Sequence, residues 1–378
     1  MEEVPRVHWS EDGEARSAKW RSERGAAPPK KVVIADDTLT ANAAYKLASQ
    51  GVGLLWRGDF QNARQLLTAL GNRTPAPAGE GATSALEKFN LARQGRAQRA
   101  RTLGMLLIPL GADYAIPLRR APDIRQACIE AYGPGDDAAL VSLRELLGVI
   151  GAHEWRRKGI ELVAFNLRIH PHYGVFAPVR NEYVDLVARA ALPAAADATC
   201  VAFDIGTGTG VLAAVLARRG FQRVVATDQD ARALACAREN VERLGLAKQI
   251  DVVKADLFPE GKAALVVCNP PWVPARPSSP LEQGIYDPES RMLKGFLGRL
   301  AAHLEPGGEG WLILSDLAEH LGLRTRQELL DAFDSAGLEV MERIDERPRH
   351  PRASDTGDVL HAARKAEVTS LWRLRPNR

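Results

Sequence analysis

Two short segments carry residue types whose spacing could do chemistry. The first, Asn269-Pro270-Pro271-Trp272, directly follows the apolar run Leu265 to Cys268, so a buried strand ends where a polar residue, two prolines and an aromatic begin. Successive prolines fix the backbone and supply no N–H, which leaves nearby carbonyl oxygens without local donors. The Asn269 side-chain oxygen and the Pro270 carbonyl can then both accept from one NH2 group, and Trp272 can stack on the plane that carries it. That arrangement selects a planar nitrogen, as in an amide or an exocyclic amine. The second segment, Asp204-Ile205-Gly206-Thr207-Gly208-Thr209-Gly210, lies between the strand-like Cys200 to Ile205 and the helical Val211 to Arg218. Glycines give such a turn its positive φ values and remove the Cβ atoms that would hold a ligand off the backbone. A dinucleotide site predicts GxGxxG, whereas this loop reads GxGxG with an acid two residues before it.

These segments need a frame. Cys200 to Ile205, Arg223 to Thr227, Ile250 to Lys254, Ala264 to Cys268 and Gly310 to Ser315 read as strands separated by helical stretches, the pattern of a doubly wound, mostly parallel α/β sheet. Leu338 to Arg343 and Glu367 to Leu374 are strand-like with no crossover helix between them, which predicts an antiparallel pair. The loop and the tetrapeptide would then lie on one sheet edge, where such folds bind ligands. Val224 to Asp228 ends a strand with an acid about twenty residues beyond the loop, placed to accept both hydroxyls of a ribose. Taken singly, an Asp after a strand is more often a turn or helix-cap residue.

The order of these motifs resembles the class I methyltransferases that use S-adenosylmethionine, and the N-P-P-aromatic tetrapeptide resembles their small-methyltransferase group. That group includes glutamine N5-, adenine N6- and ribosomal guanine N2-methyltransferases. The resemblance covers residues 165 to 375. It implies that Asp204, Gly206, Gly208 and Gly210 form the S-adenosylmethionine loop and that Asp228 holds the ribose. It also implies that Asp256 takes the adenine amino group, with Phe258 packed on the ring. Asn269, Pro270, Pro271 and Trp272 become the catalytic set: two acceptors draw density back onto nitrogen, which loses its proton after transfer, and positioning does most of the work. Residues 285 to 297 and Gly174 to Pro178 are similar to segments that close over such sites, and Pro178 to Asn181 loosely echoes a proline-arginine-proline run of the glutamine enzymes.

Ahead of this domain, Lys31 to Asp36, Thr40 to Gln50, Gly53 to Arg57 and a helix capped by Asp59 read as strand, helix, strand, helix. The chain therefore divides into a flexible tail (1–29), an N-terminal recognition domain (30–165) and the methyltransferase domain (166–378). Residues 72 to 83 read as a loop and 138 to 158 as a helix. Between residues 86 and 120, Lys88, Arg93, Arg96, Arg99, Arg101, Arg119 and Arg120 face only Glu87 and Asp113, which makes RNA or DNA the expected partner. A solvated helix face is the plainer account of the same charges. The expected reaction is N-methylation of a nucleobase. The alternatives are N5-methylation of a protein glutamine on a translation factor and, more remotely, a non-catalytic binding module.

Composition bounds the rest. The 378 residues are 46% hydrophobic and 26% charged, with a net charge of +3, so charge alone neither requires nor excludes nucleic acid. Cys128, Cys200, Cys236 and Cys268 form no CxxC pair, and His170 and His172 have no evident third ligand, so no metal is expected. No apolar run reaches membrane-spanning length and the start is acidic, so the expected location is the cytoplasm.

Overall fold

The structure is a computed structural model that describes all residues except 1–4, 76–80, 197–199, 278–281, 283, 349–356 and 378. The chain forms two compact units: the first takes residues up to 82 and 87–154, the second 83–86 and from Trp155 onward.

In the first unit, β1 (Arg6–Glu11) and β2 (Glu14–Arg21) form a hairpin. After it come β3 (Lys31–Ala35), α1 (Ala41–Ser49), β4 (Val52–Trp56) and α2 (Phe60–Arg73), matching the expected strand-helix-strand-helix order. Asp59 caps α2, accepting from the Gln61 amide at 2.8 Å. The unit continues through α3 (Ala85–Leu103), β5 (Leu106–Leu110), α4 (Arg125–Tyr132), β6 (Ala139–Ser142) and the first part of α5 (Leu143–Lys158). Its sheet runs β1-β2-β6-β5-β4-β3.

Two expectations fail here. Residues 6–21 are not a tail: Val7, Ala18 and Trp20 alternate onto one face and are buried with Leu55, Leu107 and Leu140. The hairpin turns at Asp12-Gly13, both left-handed, a two-residue turn that matches strand twist. Residues 139–142 form a strand rather than the start of a helix, because all four side chains are buried between β2 and β5. Residues 76–80 of the expected 72–83 loop lie outside the described residues.

The second unit opens with a small hairpin, β7 (Ile160–Leu162) and β8 (Leu167–Ile169), followed by α6 (Glu182–Arg189). Leu162, Leu167 and Ile169 are buried in this unit's core, which moves the boundary from residue 165 to Trp155. Then come β9 (Val201–Ile205), α7 (Val211–Arg218), β10 (Arg223–Asp228), α8 (Ala231–Arg243), β11 (Ile250–Lys254) and β12 (Ala263–Cys268). The chain closes with α9 (Arg291–Leu300), β13 (Leu304–Ser315), α10 (Leu317–His320), α11 (Arg326–Ser335), β14 (Leu338–Glu346), α12 (His361–Ala366) and β15 (Thr369–Pro376).

The seven-stranded sheet runs β11-β10-β9-β12-β13-β15-β14, parallel except that β15 lies antiparallel to both neighbours. Apolar residues cover both faces. On one, Leu265 and Val267 of β12 pack with α7; on the other, Val266 and Cys268 pack with α9 and α11. Burial on both sides explains why these strands read as unbroken apolar runs. The strand orders of the two units differ: β3 to β6 follow one another in sequence, whereas the second sheet reverses direction between β9 and β12. Among the described residues, no helix is long and apolar enough to cross a membrane.

Candidate functional site

The reversal point sets the site. Ile205 at the end of β9 pairs with Cys268 at the end of β12, so the glycine loop and Asn269 leave the sheet as neighbours. Thr227 pairs with Ile205 from the other side, which puts Asp228 beside the loop.

Each glycine of the loop is left-handed: Gly206 at φ +70°, Gly208 at +55° and Gly210 at +80°. At Gly206 an added Cβ would lie 2.6 Å from the Met292 methyl of α9, and at Gly208 it would meet nothing within 4 Å. Gly206 is therefore fixed by close packing. Gly208 faces open space, where a ligand can reach the backbone. Asp204 does not face that space. It is 1% exposed, and one carboxylate oxygen accepts from the Thr207 hydroxyl at 2.6 Å and the Ala213 amide at 3.0 Å. Burial pushes its carboxyl up to about 6, against the lowering effect of those two bonds, and nearby Asp228 adds to the rise. The Asp204 carboxylate, expected to hold the ligand, is engaged in shaping the loop and starting α7.

Asp228 is better placed. One carboxylate oxygen accepts from the Gly208 amide and the other from the Asp230 amide, each at 3.0 Å, so the group is held in a fixed orientation beside the loop. Burial raises its proton affinity, which those amides partly offset. Asp256 is exposed just past β11 and accepts from the Gln229 side chain, while the Ala255 amide donates to the Asp228 carbonyl at 3.2 Å. Phe258, expected to pack on the adenine ring, is packed into the core. It is buried, its ring stacked with those of His303 at 4.4 Å and Phe296 at 5.7 Å between centroids. Leu257 causes this. Its φ of +67°, unusual for a branched residue, turns the chain so that Phe258 enters the core, and the Thr227 hydroxyl holds the Leu257 carbonyl at 2.6 Å.

In the tetrapeptide, Asn269, Pro271 and Trp272 are half-buried and Pro270 is buried. The Trp272 indole donates to the Asn269 side-chain oxygen at 2.8 Å, and the Arg180 guanidinium lies over the indole ring, 5.1 Å from its centroid. Trp272 therefore orients the asparagine as well as offering an aromatic plane, and one face of that plane is covered. Arg180 is itself held by the buried carboxylates of Glu182, at 2.7 Å, and Glu367, at 3.1 Å. Sequence reading missed this support. Its only trace was the arginine and glutamate after Pro178.

The expected closing segment pairs with the residue that follows the tetrapeptide: the Asp287 amide donates to the Val273 carbonyl at 2.9 Å. The Asp287 carboxylate accepts from the Met292 and Leu293 amides at 3.0 and 3.1 Å, which anchors the start of α9. His170 and His172 serve structure, contacting the Arg156 carbonyl at 2.6 Å and the Glu239 carboxylate at 2.7 Å. Among the described residues, no His, Cys, Asp and Glu cluster could hold a metal ion.

Part of the basic segment of the first unit is paired. Arg119 meets Asp37 at 2.9 Å, Arg120 meets Asp59 at 2.6 Å, and Arg99 donates to the Thr74 carbonyl at 2.7 Å. The half-buried Arg144 guanidinium is pushed down first by burial and then by the like charges of Arg24 and Arg99.

Residues 166–337 match the family profile described as methyltransferase small domain, in agreement with the expected group. The chain is 38% identical over 147 residues to "Ribosomal protein L11 methyltransferase" of Pelotomaculum thermopropionicum, covering 38% of this chain and 40% of that one. It is 32% identical over 171 residues to "Release factor glutamine methyltransferase" of Cereibacter sphaeroides, covering 41% of this chain and 60% of that one. The chain thus spans between 40% and 60% of the length of these relatives. A solved methyltransferase from Pyrococcus furiosus aligns at a TM-score of 0.38 and 20% identity, over 62% of this chain and 98% of that one.

Proposed function

We propose that the second unit transfers a methyl group from S-adenosylmethionine to a planar NH2 nitrogen, and that this nitrogen belongs to a nucleobase of RNA or DNA. The adjacent exit of the glycine loop and Asn269 from paired strands carries the reading. It brings a cofactor cradle and an NH2 acceptor pair to one point.

The residues present suit S-adenosylmethionine. Gly208 offers uncovered backbone, Asp228 a fixed carboxylate for the ribose hydroxyls, and Asp256 an acceptor for the adenine amino group, with half-buried Leu257 in place of Phe258 beside the ring. When bound, the cofactor supplies a methyl group on a positively charged sulfur. The chain's part is to aim a nitrogen lone pair at that methyl. Trp272 uses one lone pair of the Asn269 oxygen, so the second lone pair and the Pro270 carbonyl accept the two N–H bonds of the substrate. Both bonds strengthen as the nitrogen becomes positive, which favours the transition state over the bound substrate. The Trp272 face away from Arg180 stacks on the acceptor plane, as it would on a base drawn out of its stack.

The concentration of arginine and lysine between residues 88 and 120 supports a polyanionic substrate. The glutamine reading is favoured by a different observation, the likeness to a release factor glutamine methyltransferase, although the shared stretch is only 41% of this chain. Incubation with methyl-labelled S-adenosylmethionine and cell extract separates the two. The nucleobase reading expects label released by RNase or DNase and lowered about 100-fold in Asn269→Ala. Label released by protease alone would overturn it in favour of glutamine, and transfer unaffected by Asn269→Ala would overturn the catalytic assignment.

A further inference from the structure

Behind the tetrapeptide the fold builds an ionic cluster that stability alone does not explain. Arg180, with 24% of its side chain exposed, stands between Glu182 and Glu367, whose side chains are 2% and 1% exposed. One Glu182 oxygen accepts from Nε at 3.0 Å and from Nη2 at 2.7 Å, while both Glu367 oxygens accept from Nη1, at 3.1 and 3.2 Å. The carboxylates are held in turn. The Ser315 hydroxyl donates to Glu367 at 2.5 Å and the Thr369 hydroxyl to Glu182 at 3.4 Å, and these two residues pair across the ends of β13 and β15. All three guanidinium nitrogens are therefore engaged, and the plane of the group is set from two sides. Taking three ionic groups out of water is costly, and well-packed apolar side chains of similar volume often give a core that is as stable or more so. What the cluster adds, and apolar packing lacks, is direction.

Direction matters because of what the guanidinium faces. It lies 5.1 Å from the centroid of the Trp272 ring, and that indole gives its one side-chain donor to the Asn269 oxygen at 2.8 Å. A continuous line of contacts thus runs from the paired ends of β13 and β15, through Glu367, Arg180 and Trp272, to the oxygen that accepts from substrate. A cation over one face favours a particular placing of the ring. The placing of the ring aims its N–H, and the N–H decides which lone pair of Asn269 is left for the acceptor. We propose that Arg180 is a positioning residue of the acceptor site, anchored by Glu367, and that it sets the aim of Asn269 without touching substrate. The inference rests on the methyl-transfer reading of the tetrapeptide and holds for a base or an amide alike.

The test is a double-substitution cycle read in the turnover of the full chain with methyl-labelled S-adenosylmethionine. The acceptor is total cellular RNA, replaced by total cellular protein if the label proves protease-sensitive. Arg180→Met keeps bulk over the ring but loses the fork and the charge. Since a displacement of about 1 Å can cost about 100-fold, it should lower kcat by about 10- to 100-fold, with S-adenosylmethionine affinity by calorimetry within about 2-fold. Arg180→Lys should recover part of that loss. Trp272→Phe removes the N–H that carries the effect, so Arg180→Met added to it should cost less than about 3-fold more. Losses that multiply in the double variant would overturn the proposal, because Arg180 would then act by another route. Should Arg180→Met fail to fold, Glu367→Gln carries the same cycle: it should lower kcat several-fold alone and little beside Trp272→Phe, and unchanged turnover in the single variant would overturn the proposal. No transfer to RNA or protein by the unmodified chain would overturn the methyl-transfer reading and the proposal with it.

Discussion

Replacing Asp204 by Asn should stabilise the ligand-free protein at neutral pH while impairing its site. The carboxylate is 1% exposed and its proton affinity is raised from the ordinary 3.8 to about 6. The folded state thus binds a proton that the unfolded chain has already released, so stability from this group is full below pH 3.8 and lost as pH rises through about 6. At about 1.4 kcal/mol per pK unit, the ionised form costs on the order of 3 kcal/mol at pH 7.5. Asparagine keeps an oxygen for the Thr207 hydroxyl and Ala213 amide and removes the charge. The difference in unfolding free energy between Asp204→Asn and the unmodified protein should therefore be near zero at pH 3.8 and climb to between about 1 and 3 kcal/mol by pH 7. Denaturant melts of both proteins at closely spaced pH values give that difference, because titrating groups other than neighbouring Asp228 cancel. The same variant should bind S-adenosylmethionine more weakly, since a negative group beside a cationic ligand is lost. A difference curve that is flat, or that falls with pH, would refute the account of Asp204 as a desolvated charge kept for function.

Three further outcomes follow from the same geometry. Asp228→Ala removes the carboxylate fixed by Gly208 and should weaken S-adenosylmethionine binding by about 1 to 3 kcal/mol, roughly 5- to 150-fold by calorimetry. Phe258→Ala should cost about 3 to 5 kcal/mol of stability yet leave that affinity within about 2-fold, whereas Leu257→Ala should do the reverse; equal effects would return Phe258 to the cofactor site. Burial alone would raise the Glu239 carboxyl, but bonds from Arg243, Arg156 and His172 bring it down to about 2. The stability it contributes is present above its ordinary 4.5 and lost as pH falls toward 2, so Glu239→Gln should flatten the acid limb of the stability curve.

The second unit was legible because its signals are local. The glycine loop, Asp228 and the tetrapeptide each sit at the end of a mainly apolar strand, and the sheet order then brings those ends together. Features that depend on distant partners were hidden. Arg119 and Arg120 read as a surface patch because their partners, Asp37 and Asp59, lie 82 and 61 residues away. Phe258 looked available because the turn that hides it depends on Leu257 adopting a left-handed conformation, which its residue type does not announce. The N-terminal hairpin was legible after all. Asp12-Gly13 between alternating Val7, Trp9, Ala18 and Trp20 is a hairpin signal that the charged composition obscured.

Three charged groups share a physical character that bears on what the site does. Arg180, Arg324 and Asp204 are all ionic groups whose charge the fold takes out of water. Arg180 is balanced by two buried carboxylates and so can hold Trp272 in place without a ligand. Asp204 is balanced in part by the loop's own donors, whereas the buried Nε and Nη2 atoms of Arg324 have no hydrogen-bond partner. Buried charge without a partner destabilises a fold, and a chain keeps it where binding supplies the partner. By that ordering Arg180 belongs to the scaffold. Asp204 belongs to the cofactor loop, so its replacement by Asn should raise stability at neutral pH while lowering S-adenosylmethionine affinity.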